Sequence, residues 1–99
     1  MNISLDFDNT YTRDPKFWNN FIELSKQSGH TIYCVTARSP REGLEVFNTI
    51  GKLIGEDHCY FTSMTAKRNY MFKQGISIDV WIDDMPFFIE NGVEDVAIK

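Results

Sequence analysis

An alternation along the chain constrains its fold more than any other feature. Short apolar runs, each closed by polar residues, are separated by longer segments whose apolar residues recur at helical spacing. Residues 3–7, 31–35, 59–61 and 79–82 read as strands, with a final strand expected near 95–98. After the first, Asp14 followed by Pro15 is an N-cap with proline at the first helical position. Phe17, Trp18, Phe21, Ile22 and Leu24 then share one face until Gly29 stops the helix. Ser39 to Glu42 has the form of a capping box, and Leu44, Phe47, Ile50 and Ile54 make the stripe of a second helix that Gly55 ends. Ser63 or Thr65 can cap a third helix running to about Gln74, and Pro86 starts a turn reaching Glu90. Strands alternating with helices predict right-handed βαβ units and a mostly parallel sheet covered on both faces. The expected fold class is therefore α/β, a doubly wound sheet of about five strands.

Ninety-nine residues allow one domain, and 42% hydrophobic with 14% aromatic residues supply a packed core. Fourteen acidic against ten basic residues leave a net charge of -4, which argues against a generally basic nucleic-acid coat protein but leaves room for a local basic rim. Two cysteines, Cys34 and Cys59, are too few for a disulfide framework and sit in apolar runs as buried free thiols do, so a reducing cytoplasm is the expected home. No apolar run approaches the roughly 18 residues of a membrane span, and Asp6 and Asp8 arrive before a signal-peptide core could form. A soluble protein with no membrane partner is expected.

Doubly wound sheets bind ligands beyond the carboxyl ends of their strands, and the reactive residues gather there. Asp6 and Asp8 follow the first strand, Thr36 the second, and Asp83 and Asp84 the fourth. Any one of them alone is an ordinary turn or cap residue. Four carboxylates converging from two strands would repel one another and resist desolvation unless a cation sits among them. Oxygen donors without a suitably placed His or Cys favour Mg²⁺, which bridges to substrate phosphate, so a phosphate ester is the expected substrate. His30 and His58 fall at the opposite ends of their strands and read as structural. Arg13, Lys16, Arg38, Arg41, Lys67 and Arg68 lie in loops or first helical turns on the carboxylate side and form an expected basic rim. Lys67 is the strongest of these, because it starts a helix within reach of both a carboxylate and a bound phosphate.

In this order the residues resemble the four motifs of the haloacid dehalogenase superfamily of phosphohydrolases, across nearly the whole chain. Asp6-Phe7-Asp8-Asn9-Thr10 resembles the first motif, Val35-Thr36-Ala37-Arg38 the second, Lys67 the third and Trp81-Ile82-Asp83-Asp84-Met85-Pro86 the fourth. The resemblance implies a three-layer, Rossmann-like core and an Mg²⁺-dependent phosphatase that works through an aspartyl-phosphate. Asp6 would be the nucleophile, and Asp8 the general acid and then base. Thr36 and Lys67 would steady the transferring phosphoryl group. Asp6, Asp83 and Asp84 would hold the metal, with the Asp8 backbone carbonyl completing the shell and Asp84 favoured over Asp83 for direct contact. Phe7 would pack its ring in the core and turn its backbone N–H to the phosphate, beside Ala37 and Arg38. Lys73 is the weaker alternative to Lys67. Asn9 stands where many members have glycine and tolerates the same backbone angles. Thr10 would support the motif-one turn. A retained Asp8 fits phosphatases better than dehalogenases.

Superfamily members often insert a cap domain after the first or third strand, and neither gap here is long enough to hold one. An uncapped site would accept the exposed end of a large substrate or borrow a neighbouring subunit. Tyr11 beside the site could stack on a base, which would suit a nucleotide or a nucleic-acid end as partner as well as a phosphorylated small molecule. Two rivals differ in class. A receiver-type phosphoacceptor domain shares the ingredients but needs an acceptor Asp after strand three, where Thr62 stands. A catalytically silent binding module would keep the fold without turnover.

Overall fold

A computed structural model describes residues 1–93; the strand expected near 95–98 lies outside the described residues. Four strands, β1 (Asn2–Leu5), β2 (Thr31–Thr36), β3 (Cys59–Phe61) and β4 (Val80–Ile82), form one all-parallel sheet in the order β3-β2-β1-β4. Five helices accompany them: α1 (Pro15–Gln27), α2 (Leu44–Asn48), α3 (Ile50–Ile54), α4 (Lys67–Lys73) and α5 (Phe87–Glu90).

Alternation along the strands divides the core in two. Ile3 and Leu5, Ile32 and Cys34, and Cys59 and Phe61 face the side covered by α1 to α3 through Ile22, Val46, Ile50 and Ile54. Tyr33, Val35, Tyr60 and Trp81 face the other side, where α4 contributes Met71. Helices thus cover both faces. Each fully buried aliphatic side chain adds about 1.5–3 kcal/mol, and Leu5, Ile22, Val46 and Ile50 are all completely enclosed.

The helices depart from the sequence reading in instructive ways. The Asp14 side chain caps α1 as expected, accepting the Phe17 N–H at 3.2 Å. The buried face is nevertheless built on Ile22 and Ser25 with Trp18 and Phe21 beside them, and Phe17 and Leu24 point outward. The expected second helix is two short ones. The Thr49 hydroxyl donates to the Glu45 carbonyl at 2.7 Å and competes for that backbone acceptor, so the helix breaks at Thr49. The break, and the 3₁₀ turn at Pro40–Glu42 before it, shift the phase of the stripe. Val46 is buried and Leu44 exposed, the reverse of the expected pattern. Neither Ser63 nor Thr65 caps α4: Thr65 donates its hydroxyl to the Thr62 carbonyl at 2.7 Å, and Ala66 precedes the first turn.

Register places the site. Leu5 pairs with Cys34 on one side and Ile82 on the other, so Asp6 and Asp83 emerge side by side from adjacent strands. The ladder continues one step further, with the Asp6 N–H on the Ile82 carbonyl at 3.0 Å. Chain connections from β1 run to β2 through α1 on one face, while β4 is reached through α4 on the other. The gap between β1 and β4 is therefore where the winding reverses and a crevice opens.

Candidate active site

At that crevice Lys67 joins two strand ends. Its ammonium donates to Asp6 Oδ1 at 2.8 Å and Asp83 Oδ2 at 2.6 Å, and all three side chains are less than a tenth exposed. Burial alone would depress the Lys67 pKa, but the Asp6 and Asp83 carboxylates outweigh it and hold the ammonium above its usual value. The opposite balance holds at Asp6. Burial raises its carboxyl to about 6 despite the pull of the Lys67 charge. At neutral pH the pair is ionised, with Asp6 restrained but charged.

The second oxygen of Asp6 lies on the other side of the crevice. The Thr10 hydroxyl sits 3.3 Å from Asp6 Oδ2 and 3.3 Å from Asp84 Oδ1, and its single proton can serve one at a time. Sequence reading placed Thr10 as a support within its own turn; it also ties that turn to the end of β4. Asp83 has both oxygens engaged, Oδ2 by Lys67 and Oδ1 by the Met85 N–H at 2.9 Å. Asp84 is exposed, with the Thr10 hydroxyl against its Oδ1. One oxygen from each of Asp6, Asp83 and Asp84 falls within 4.8 Å of the others, so the three could hold a metal ion. The donor set is all hard oxygen, which suits Mg²⁺. Lys67 already neutralises the Asp83 side, so Asp6 and Asp84 are the pair best placed to ligate.

Asp8 is held differently. Arg38 grips both its oxygens, Nε to Oδ2 at 2.9 Å and Nη2 to Oδ1 at 2.8 Å, and the same guanidinium reaches the Glu42 carbonyl and the Glu45 carboxylate and lies over the Phe7 ring. Hydrogen bonds from Arg38 pull the Asp8 carboxyl below its usual value. Thr36 is buried, with its hydroxyl accepting the Arg38 N–H at 3.3 Å. Asn9 adopts a positive φ of 64°, the strained angle expected where glycine is common.

A cleft of about 160 Å³ is lined by Asp6, Asp8, Asn9, Thr36, Ala37, Lys67 and Asp84 together with Met64, Met85 and Phe88. A second cleft, about 450 Å³, lies beyond Asp84 and includes Asn9, Arg13, Trp18 and Asp83. Both histidines line a separate cavity with Lys26, at the far end of the strands from the carboxylates.

Several expected site residues are placed elsewhere. Tyr11 is 4% exposed, stacked on Phe7 and hydrogen-bonded to Asn19 at 2.7 Å, so its ring offers no face to a base. The apolar wall it packs into was invisible in a loop sequence. Phe7 is fully inside, as expected. Arg68 pairs with Glu90 and lies over Trp81, and Arg38 is spent on Asp8 and Glu45, so the basic rim is thinner than its composition suggests. Arg13, Lys16 and Arg41 are exposed. Lys73 lines a different cleft with Thr62 and Asn69, and Lys67 alone of the two reaches Asp6. Sequence reasoning gave no role to Met64 and Phe88, which lie outside the motifs, or to Met85 within the fourth.

Fold and centre together define a four-stranded parallel α/β domain with a buried lysine and converging aspartates at its winding reversal. Comparison with protein-family models, with curated proteins and with solved structures finds no match for the chain.

Proposed function

We propose that the protein is an Mg²⁺-dependent phosphatase of the haloacid dehalogenase type, hydrolysing a phosphate monoester through an aspartyl-phosphate on Asp6. One observation carries the reading. Asp6, Lys67, Asp83 and Asp84 meet at the winding reversal with Thr36 and Asp8 alongside, which is the set that the four sequence motifs call for. The observed order, 3-2-1-4, is that of a Rossmann-like sheet.

In this account the Asp6 carboxylate attacks phosphorus, forming the acyl phosphate as the ester P–O bond breaks. Lys67 offsets the charge that the carboxylate and phosphoryl oxygens share, and Thr36 donates to a phosphoryl oxygen. Bound Mg²⁺, held by Asp6 and Asp84 with the Asp8 backbone carbonyl, would supply further neutralisation of phosphate charge. Once released by Arg38, Asp8 in its protonated form gives a proton to the leaving oxygen. Its carboxylate then takes one from the water that cleaves the Asp6–phosphorus bond. The absence of a cap among the described residues leaves the cleft open to a phosphorylated small molecule or a nucleic-acid end, and a second copy of the chain could complete it.

Turnover tests this directly. A panel of aryl phosphates, nucleotides and phosphorylated oligonucleotides should release phosphate only with Mg²⁺, and Asp6→Asn should abolish it. The Arg38 clamp on Asp8 favours one alternative, a silent phosphate-binding module, for which the panel would bind and never turn over. Strand order speaks against a receiver domain, in whose 2-1-3-4-5 sheet strand 3 neighbours strand 1; here β3 is at the edge beside β2.

A further inference from the structure

One apolar side chain of the cleft beside Asp6 and Lys67 sits on a strained turn. Residues 62–65 close with the Thr65 N–H on the Thr62 carbonyl at 3.1 Å, and the two central residues, Ser63 and Met64, have φ of 52° and 69°. Positive φ at both central positions is the demand of a type I′ turn, which Gly and Asn meet with little strain and Met does not. The turn is pinned from several directions: Ser63 N–H to the Arg38 carbonyl at 3.2 Å, Met64 N–H to the Ala37 carbonyl at 3.0 Å, and Val93 N–H to the Met64 carbonyl at 2.8 Å. A chain needing only a turn here would fare better with glycine. The strained position instead carries a long thioether that is 42% exposed and lines the same cleft as Asp6 and Lys67. Backbone strain of this kind concentrates where a side chain is wanted for function.

Met85, 51% exposed, and Phe88 line the same cleft. If Asp6 and Lys67 hold the phosphoryl group, these three are the large apolar side chains of the cleft that an esterified group can meet. Thioether sulfur and an aromatic edge both favour contact with an aromatic ring over an alkyl chain. The cleft measures about 160 Å³ and shares Asp8, Ala37 and Met64 with one neighbouring cleft and Asn9 and Asp84 with another.

We propose that Met64, Met85 and Phe88 form an apolar collar that receives an aromatic leaving group, so that aryl phosphate monoesters are the preferred substrate class. This rests on the phosphatase reading above, and the test separates the two. Phenylphosphonate and methylphosphonate, which cannot be hydrolysed, are titrated calorimetrically into the full chain with saturating Mg²⁺, alongside inorganic phosphate. Wild-type protein should bind the phenyl compound roughly tenfold more tightly than the methyl compound. In Met64→Gly and in Met85→Ala that ratio should fall below about threefold. Met64→Gly also relieves the positive φ, so it should melt at or above the wild-type temperature while losing the preference, a combination a purely structural methionine would not give. Equal affinity for the two phosphonates in wild type, or an unchanged ratio in both variants, overturns the collar and leaves the phosphate site standing. Failure of inorganic phosphate and both phosphonates to bind overturns both.

Discussion

At Asp6 and Lys67 burial works against charge, and the balance sets what the centre tolerates. Replacing Lys67 by Met leaves Asp6 and Asp83 facing each other without their shared cation, at an expected cost of about 3–5 kcal/mol. Denaturant unfolding should show that loss at neutral pH and a smaller one in acid, where the carboxylates protonate; an unchanged midpoint would contradict the ion-pair account. Asp6 gives a pH dependence of its own. Its carboxyl titrates at 3.8 when unfolded and at about 6 when folded, so the folded state binds the proton more tightly. In metal-free protein this group's contribution is greatest below 3.8 and is lost as pH rises through about 6, on the order of 3 kcal/mol in all. A cation at Asp6 and Asp84 offsets that loss. The rise in melting temperature on adding Mg²⁺ should therefore grow across the same window and level off above it, and a pH-independent rise would argue against Asp6 as a ligand. Polar residues directly after apolar runs made Asp6, Asp8, Thr36, Asp83 and Asp84 legible in the sequence. The fate of Tyr11 was not, because burial of a loop aromatic depends on partners such as Phe7 and Asn19 that only the fold supplies.

Among the elements, the loops after β2 and β3 bring Arg38 and Met64 to the site, and they are where sequence patterns faded. Gly43 shows why close packing is hidden there: a Cβ added to it would meet the Phe61 ring at 2.8 Å and the Pro40 carbonyl at 3.0 Å. Gly43→Ala should cost about 1–3 kcal/mol by overpacking, measured by thermal or denaturant unfolding. It should also loosen the turn whose Glu42 carbonyl holds Arg38 on Asp8. A neutral substitution would show that this loop yields freely. The break at Thr49 illustrates a second limit. Apolar periodicity alone reads one helix from Leu44 to Ile54, whereas Thr49, its hydroxyl bonded back to the Glu45 and Val46 carbonyls, stands at the break between two. The turn at residues 62–65 is a third case, since Ser-Met carries none of the Gly or Asn chemistry by which such turns are recognised. By contrast α1 was readable at both ends, from the Asp14 cap and from Gly29 at φ of 85°.

Across the whole molecule, parallel strands with helices on both faces were foreseeable from the alternation of periods, while the order β3-β2-β1-β4 was not, since pairing depends on contacts distant in sequence. That order brings Asp6 beside Asp83 and opens the crevice between β1 and β4. The same sandwich encloses both thiols. Burial pushes Cys34 well above the ordinary thiol range and Cys59 up to about 11. Native protein at neutral pH should resist alkylation at both, and unfolding should expose both; rapid native reaction at either would mean the sheet opens far more readily than its packing implies. The role proposed for Asp6 is tested most directly by acid quenching of the protein during incubation with Mg²⁺ and an aryl phosphate, followed by peptide mass analysis. The expected result is the mass of one phosphoryl group on the peptide containing Asp6, localised to that side chain and absent in Asp6→Asn. Turnover without phosphoryl on Asp6, or with it on another residue, would contradict the account.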